Sequence, residues 1–208
     1  MADLTLVIAN KNYSSWSLRP WLALKQMGVP FQEIRIPLRQ PDTRARILEH
    51  SPGGKVPILK DGSIAVWESL AIIEYLAEKF PAAGLWPADP AARAEARSIA
   101  AEMHAGFAAL RQQLPMDIRS RKPLKADGAA EADITRILEM WRGARARYGA
   151  GGPFLFGKFS GADAMYAPVA TRFRTYGVAL DEVTSAYVDA IFALPAMQEW
   201  VAAAATEA

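Results

Sequence analysis

Residues 79–92, KFPAAGLWPADPAA, hold three prolines and a glycine. Regular structure cannot pass through such a stretch. Each proline lacks a backbone donor and disfavours the helical conformation of the residue before it. The 208-residue chain therefore divides into two parts, with expected boundaries of 1–80, a linker over 81–90, and 91–208.

The two parts follow different periodicities. LTLVIA (4–9) reads as a buried strand and FQEIRI (31–36) alternates as a strand should. Helical spacing covers 17–27, through Leu18, Trp21, Leu22 and Lys25, and ends at Gly28 and Pro30. A second helix is expected over 41–49. VPILKDGSIAVWES (56–69) reads as a hairpin turning at Asp61-Gly62, and a helix over 68–79 follows with Leu70, Ile73, Leu76 and Ala77 on one face. The order is βαβαββα, an α/β layer. Beyond the linker no strand is expected. Helices are expected over about 90–119, 130–148, 161–176, 182–193 and 195–204, with breaks at Pro123, GAGGP (149–153) and Gly177, which makes an all-α second half.

Composition excludes several chemistries. There is no cysteine, which rules out disulfides, thiol nucleophiles and cysteine zinc sites. His50 and His104 are the only histidines, too few for a histidine-rich metal site, so no metal is expected. The net charge is +2, and the basic residues between Arg111 and Arg147 alternate with acids, so they read as solvated helix faces and no nucleic-acid partner is expected. No apolar run approaches the ~20 residues of a membrane span. The N-terminus has no basic segment followed by a long apolar core. The expected setting is cytoplasmic.

The layer order, with its first loop entering a helix, resembles the thioredoxin arrangement. Redox members of that fold carry CxxC there, whereas this chain has Ser14-Ser15-Trp16-Ser17. A serine cannot exchange disulfides, but it can donate a hydrogen bond to another molecule's thiolate. The plainer alternative is capping, with Ser17 as N-cap and Pro20 at the third helical position. In GGKVPIL (53–59), a cis bond before Pro57 would turn the Val56 backbone outward for an extended peptide to pair with, though a strand start explains the dipeptide as well. In WES (67–69), Glu68 can accept from an ammonium, and Ser69 with the free amides of a helix start can receive a carboxylate, though an ordinary helix start explains the tripeptide as well. Lys55 adds a cation at the other end. Together these describe a site for glutathione: an amino-acid head, a backbone pair, a terminal carboxylate and a thiol at the serines.

With these motifs the chain resembles the cytosolic glutathione S-transferases over essentially its whole length. SSWSLR is similar to the SSCSxR signature of the serine-type zeta class, which includes maleylacetoacetate isomerases, and KVP and ES match the family's glutathione-contacting motifs. FSGAD (159–163) matches its capping box, with Ser160 as N-cap, Asp163 three positions on and Phe159 before the cap. The resemblance implies Ser14 or Ser15 against the glutathione sulfur, Lys55 at the glycyl carboxylate, Val56 and Pro57 at the cysteinyl backbone, and Glu68 with Ser69 at the γ-glutamyl head. It places Arg19 near the thiol loop, unless that arginine forms a salt bridge under the helix. Trp16 stands where the zeta pattern has cysteine, a departure that bears on isomerase activity more than on glutathione binding.

The implied activity is conjugation of glutathione, as co-substrate, to a small electrophile, by a homodimer. A glutathione-dependent isomerase or peroxidase, and a non-catalytic glutathione-binding module, are the alternatives. The electrophile pocket is expected between the halves, near Trp16. His104 and Arg111 are expected on one face of one helix there, with Arg174 as a possible anion receptor, although solvated positions would explain these residues too.

Overall fold

The computed structural model describes residues 4–207. Four strands, β1 (Leu4–Ile8), β2 (Gln32–Arg35), β3 (Ile58–Asp61) and β4 (Ile64–Trp67), form one sheet in the order β2-β1-β3-β4. β1 runs parallel to β2, pairing Val7 with Ile34, and antiparallel to β3, pairing Leu6 with Leu59. The β3–β4 turn is at Asp61-Gly62, where Gly62 takes φ 57°. Helices α1 (Ser15–Gln26), α2 (Thr43–Leu48) and α3 (Ser69–Lys79) complete the βαβαββα layer.

Alternation along β1 explains the layering. Leu4, Leu6 and Ile8 face the large core with α1 and α3, while Val7 joins Ile36, Ile47 and Ile58 in a smaller cluster under α2. The central strand β1 is thus covered on both faces, whereas the edge strand β2 is exposed along its length and β4 at both ends.

The second half is helical: α4 (Pro90–Ala105), α5 (Ala108–Gln113), α6 (Gly128–Tyr148), α7 (Gly161–Tyr176), α8 (Glu182–Ala193) and α9 (Pro195–Thr206). Only isolated bridges at 154–158 interrupt the pattern. Every residue of α7 except Arg174 is buried, and α7 packs on both α1 and α4, so one apolar core runs through both halves. The Gly161 amide donates to the Leu85 carbonyl at 2.7 Å, and a Cβ there would lie 2.8 Å from the Trp86 ring and 2.9 Å from Ile73. No larger residue fits between linker, α3 and α7.

The expected box at the start of α7 is present. Asp163 Oδ2 accepts from the Ser160 amide and hydroxyl, both at 2.8 Å, and Oδ1 accepts from the Leu155 amide at 3.1 Å. Phe159 packs edge-on against Phe154 at 5.5 Å.

Three expectations are corrected. The single helix over 90–119 is two, because the chain turns at Gly106 and at Phe107, which takes φ 57°; His104 and Arg111 therefore sit on different helices. Pro115 then keeps α5 from extending further. α1 begins at Ser15 with Ser14 as its N-cap, so Ser17 is not the cap and Pro20 lies inside the helix, past its first turn.

Candidate functional site

The N-terminal end of α1 opens on a groove. Ser14 Oγ accepts from the Ser17 amide at 3.4 Å and lies 2.7 Å from Ser17 Oγ, and either hydroxyl can donate in that contact. Ser17 Oγ also accepts from the Ala9 amide at 3.1 Å, which ties the end of β1 to the first turn of α1. Ser17 is thus a fully buried strut, whereas Ser14 and Ser15, each 6 % exposed, reach the groove.

Two cavities make up the groove, and they share Trp16, Lys55 and Val56. One, of about 380 Å³, is completed by Gly53, Pro57, Trp67 and Glu68. The other, of about 500 Å³, includes Tyr13, Ser14, Ser15, Arg39 and Arg44. The Val56–Pro57 peptide is cis. The groove therefore brings together Ser14, Ser15, Trp16, Lys55, Val56, Pro57 and Glu68. Arg39 and Arg44, which add two cations to the wall beside the serines, carry no local motif that would have singled them out.

Glu68 links β4 to α3 with φ 70° and ψ 124°. This left-handed conformation is costly for a non-glycine residue and aims the side chain at the groove mouth. Its Oε2 lies 3.6 Å from His104 Nε2. Burial above all, then the neighbouring Arg19 charge, holds the His104 imidazole below its ordinary range despite Glu68. The contact is therefore not a charge pair at neutral pH.

Ser69 is placed differently from the sequence-based expectation. It is fully buried and lines neither cavity; its hydroxyl accepts from Arg19 Nη1 at 3.3 Å and faces Met165 Sδ at 3.9 Å. Arg19 forms no salt bridge among the described residues. It is wholly buried under Trp16, with its guanidinium carbon 4.2 Å from the ring centroid, and its Nε and Nη2 have no partner. Burial, followed by the charges of Arg172 and Arg111, lowers its pKa. Removing the Ser69 hydroxyl takes away the one hydrogen bond that the buried Arg19 guanidinium makes among the described residues. Ser69→Ala should therefore cost about 1–3 kcal/mol of folding stability, measured by denaturant unfolding. Unchanged stability with weakened glutathione binding would return the hydroxyl to the head group.

Trp16 gathers the interdomain residues. His104 meets its ring edge-on at 5.4 Å and the Arg111 guanidinium lies 5.2 Å from its centroid. Arg111 also donates to the carbonyls of His104 and Gly106 and so closes the end of α4. Arg174 is not part of this group. It pairs with Asp189 at 2.8 Å and stacks 3.6 Å from the Phe192 centroid, on the α8 side of α7. A further cavity, about 770 Å³, also lies elsewhere, against α3, the linker and α4.

Residues 13–79 match the glutathione S-transferase N-terminal domain and residues 90–203 the glutathione S-transferase C-terminal domain. The chain belongs to the glutathione S-transferase family. Among curated relatives it is 36 % identical over 109 residues to a probable maleylacetoacetate isomerase of Caenorhabditis elegans, a match covering 52 % of this chain and 50 % of that one. It is 38 % identical over 87 residues to the maleylacetoacetate isomerase of Rhizobium meliloti, covering 41 % of each. The chain thus spans half or less of the length of these relatives. The fold is shared with a glutathione transferase homolog from Burkholderia GL BGR1 solved with bound glutathione. There the TM-score is 0.72 at 24 % identity, over 99 % of this chain and 100 % of that one. No helix among the described residues is long and apolar enough to cross a membrane.

Proposed function

We propose that the protein is a glutathione transferase, in which the Ser14 hydroxyl stabilises the glutathione thiolate for attack on a small electrophile. One observation carries this reading: the hydrogen-bond pattern around Ser14. A hydroxyl has two acceptor sites and one proton. With Ser17 Oγ donating, Ser14 accepts from the Ser17 amide and hydroxyl, and its own proton is free for the groove. Ser15, on the same wall but outside that network, supports it.

The rest of the groove suits glutathione in order. Glu68 and the α3 amides take the γ-glutamyl head, with the buried Ser69 holding Arg19 beneath. The Val56 backbone, beside Pro57, pairs with the cysteinyl unit, and Lys55 meets the glycyl carboxylate. Residues 1–80 would bind glutathione, 81–90 connect, and 91–208 supply the electrophile side through His104 and Arg111, with Trp16 as the shared wall. The family match and the glutathione-bound neighbour support this assignment. A free thiol is only a few per cent ionised at pH 7, so a donor at the sulfur raises the nucleophile population. The thiolate sulfur forms a bond to the electrophilic carbon, and the displaced electron pair departs with a leaving group or takes up a proton.

Isomerisation is the second reading, favoured by the two relatives named maleylacetoacetate isomerase. Against it stands Trp16 at the position of the zeta-class cysteine. Retention on immobilised glutathione combined with turnover of a panel of electrophiles tests the proposal. Retention without turnover of any substrate would favour a binding module.

A homodimer in the cytoplasm completes the reading. Trp67 and Ile64 are 47 % and 50 % exposed on β4, and the 770 Å³ cavity carries Glu74, Glu78, Arg93 and Arg97, a charge mixture suited to a second copy. Sedimentation should show twice the 22.7 kDa chain mass. A stable species of single mass at micromolar concentration would contradict it.

A further inference from the structure

The loop from β1 to α1 is pinned by a residue at the far end of the chain. Lys11 and Asn12 are buried and belong to neither element, so their amides need partners from outside. Both use the Glu207 carboxylate: Oε1 accepts from the Lys11 amide at 2.7 Å and Oε2 from the Asn12 amide at 3.1 Å. Glu207, just beyond α9, is itself 6 % exposed. Arg35 Nη1 donates to its Oε1 at 2.9 Å and Arg119 Nη1 to its carbonyl at 2.6 Å. Two residues after Asn12 comes Ser14.

The geometry points to Glu207 as a positioning residue that sets the place of the Ser14 hydroxyl, and so the acidity of the bound thiol. The inference rests on the transferase reading above. Glu207 touches no reacting atom and acts through the backbone of the loop. Other contacts hold the loop as well: Asn12 Nδ2 donates to Asp117 Oδ1 at 2.9 Å, and Trp200 Nε1 donates to the Lys11 carbonyl at 2.9 Å. Among the described residues Glu207 alone satisfies the two successive amides, with charge-assisted bonds, one to each oxygen. A glutamine has one acceptor oxygen, and its NH2 would face the other amide hydrogen. Glu207→Gln thus breaks half of the clamp at constant size.

The test compares wild-type protein, Glu207→Gln, Glu207→Asp and Lys25→Ala. Lys25 pairs with Glu199 on the surface between α1 and α9, so its loss weakens the same helix contact without touching the loop. Amide exchange of residues 11–15 and the pH titration of bound glutathione thiolate absorbance are the readouts. In Glu207→Gln the Lys11 and Asn12 amides should exchange about tenfold faster while those of Leu6–Ile8 keep their rates. The thiol midpoint should rise by about half to one pH unit, and turnover at pH 6.5 should fall about 3–10-fold with KM for glutathione nearly unchanged. Glu207→Asp, which keeps both oxygens on a shorter stem, should fall between, and it carries the test if the glutamine variant does not fold. Lys25→Ala should match wild type. Unchanged exchange, or faster exchange with a wild-type midpoint, would overturn the role of Glu207 alone. A wild-type protein that ionises no bound thiol would instead overturn the transferase reading of the groove.

Discussion

Asp163→Ala should be among the most damaging single substitutions outside the groove, with a loss of about 3–5 kcal/mol of unfolding free energy. Alanine leaves the Leu155 amide, the Ser160 amide and the Ser160 hydroxyl without their acceptor, all within the core at the start of α7. Because α7 packs on both α1 and α4, loosening its first turn reaches both halves. Equilibrium denaturation measures the loss, and a change under about 1 kcal/mol would show that the box is dispensable. Burial raises the Asp163 pKa from 3.8 to about 6 against the hydrogen bonds that favour its charge. The sign follows from proton linkage. Between those values the folded carboxyl keeps a proton that the unfolded one has released, so its contribution to stability falls as pH rises and is level above about 6. The difference in stability between wild type and Asp163→Asn should therefore shrink from pH 4 to 6.

Ser14→Ala should lower turnover at pH 6.5 by about 10–100-fold while leaving glutathione affinity nearly intact. On the proposed reading the hydroxyl acts at the sulfur, whereas affinity comes from the head group, backbone and glycyl contacts. The loss should shrink as pH rises towards the free-thiol value, where ionisation no longer needs help. Alanine also removes the N-cap of α1, so a modest stability loss of about 1 kcal/mol should accompany it. Ser15→Ala should change the profile less. A wild-type profile for Ser14→Ala beside a crippled Ser15→Ala would transfer the role to Ser15.

Features fixed by local chemistry were readable from the sequence. The Asp61-Gly62 hairpin turn, the Ser160–Asp163 box and the three prolines between the halves each state their structure within a few residues. The choice between Ser14 and Ser17 as the cap was not local. It depends on the Ala9 amide at the end of β1, which claims Ser17 Oγ. The break in the expected 90–119 helix is stabilised by Arg111 reaching back to the carbonyls of His104 and Gly106. His104 and Arg111 nevertheless both reach Trp16, through the turn between α4 and α5 and not through a shared face. Arg174 goes to Asp189 on α8, a partner that no spacing rule names. Ser69 is buried because Arg19, fifty positions earlier, needs its hydroxyl. Periodicity could place these side chains on elements, but not against each other.

Absorbance titration of the glutathione thiolate in the binary complex tests the central claim most directly. For wild-type protein the midpoint should lie one to two units below the ~8.5 of a free thiol, and for Ser14→Ala it should return most of the way to that value. Equal midpoints for wild type and Ser14→Ala, with glutathione shown to be bound in both, would contradict the account.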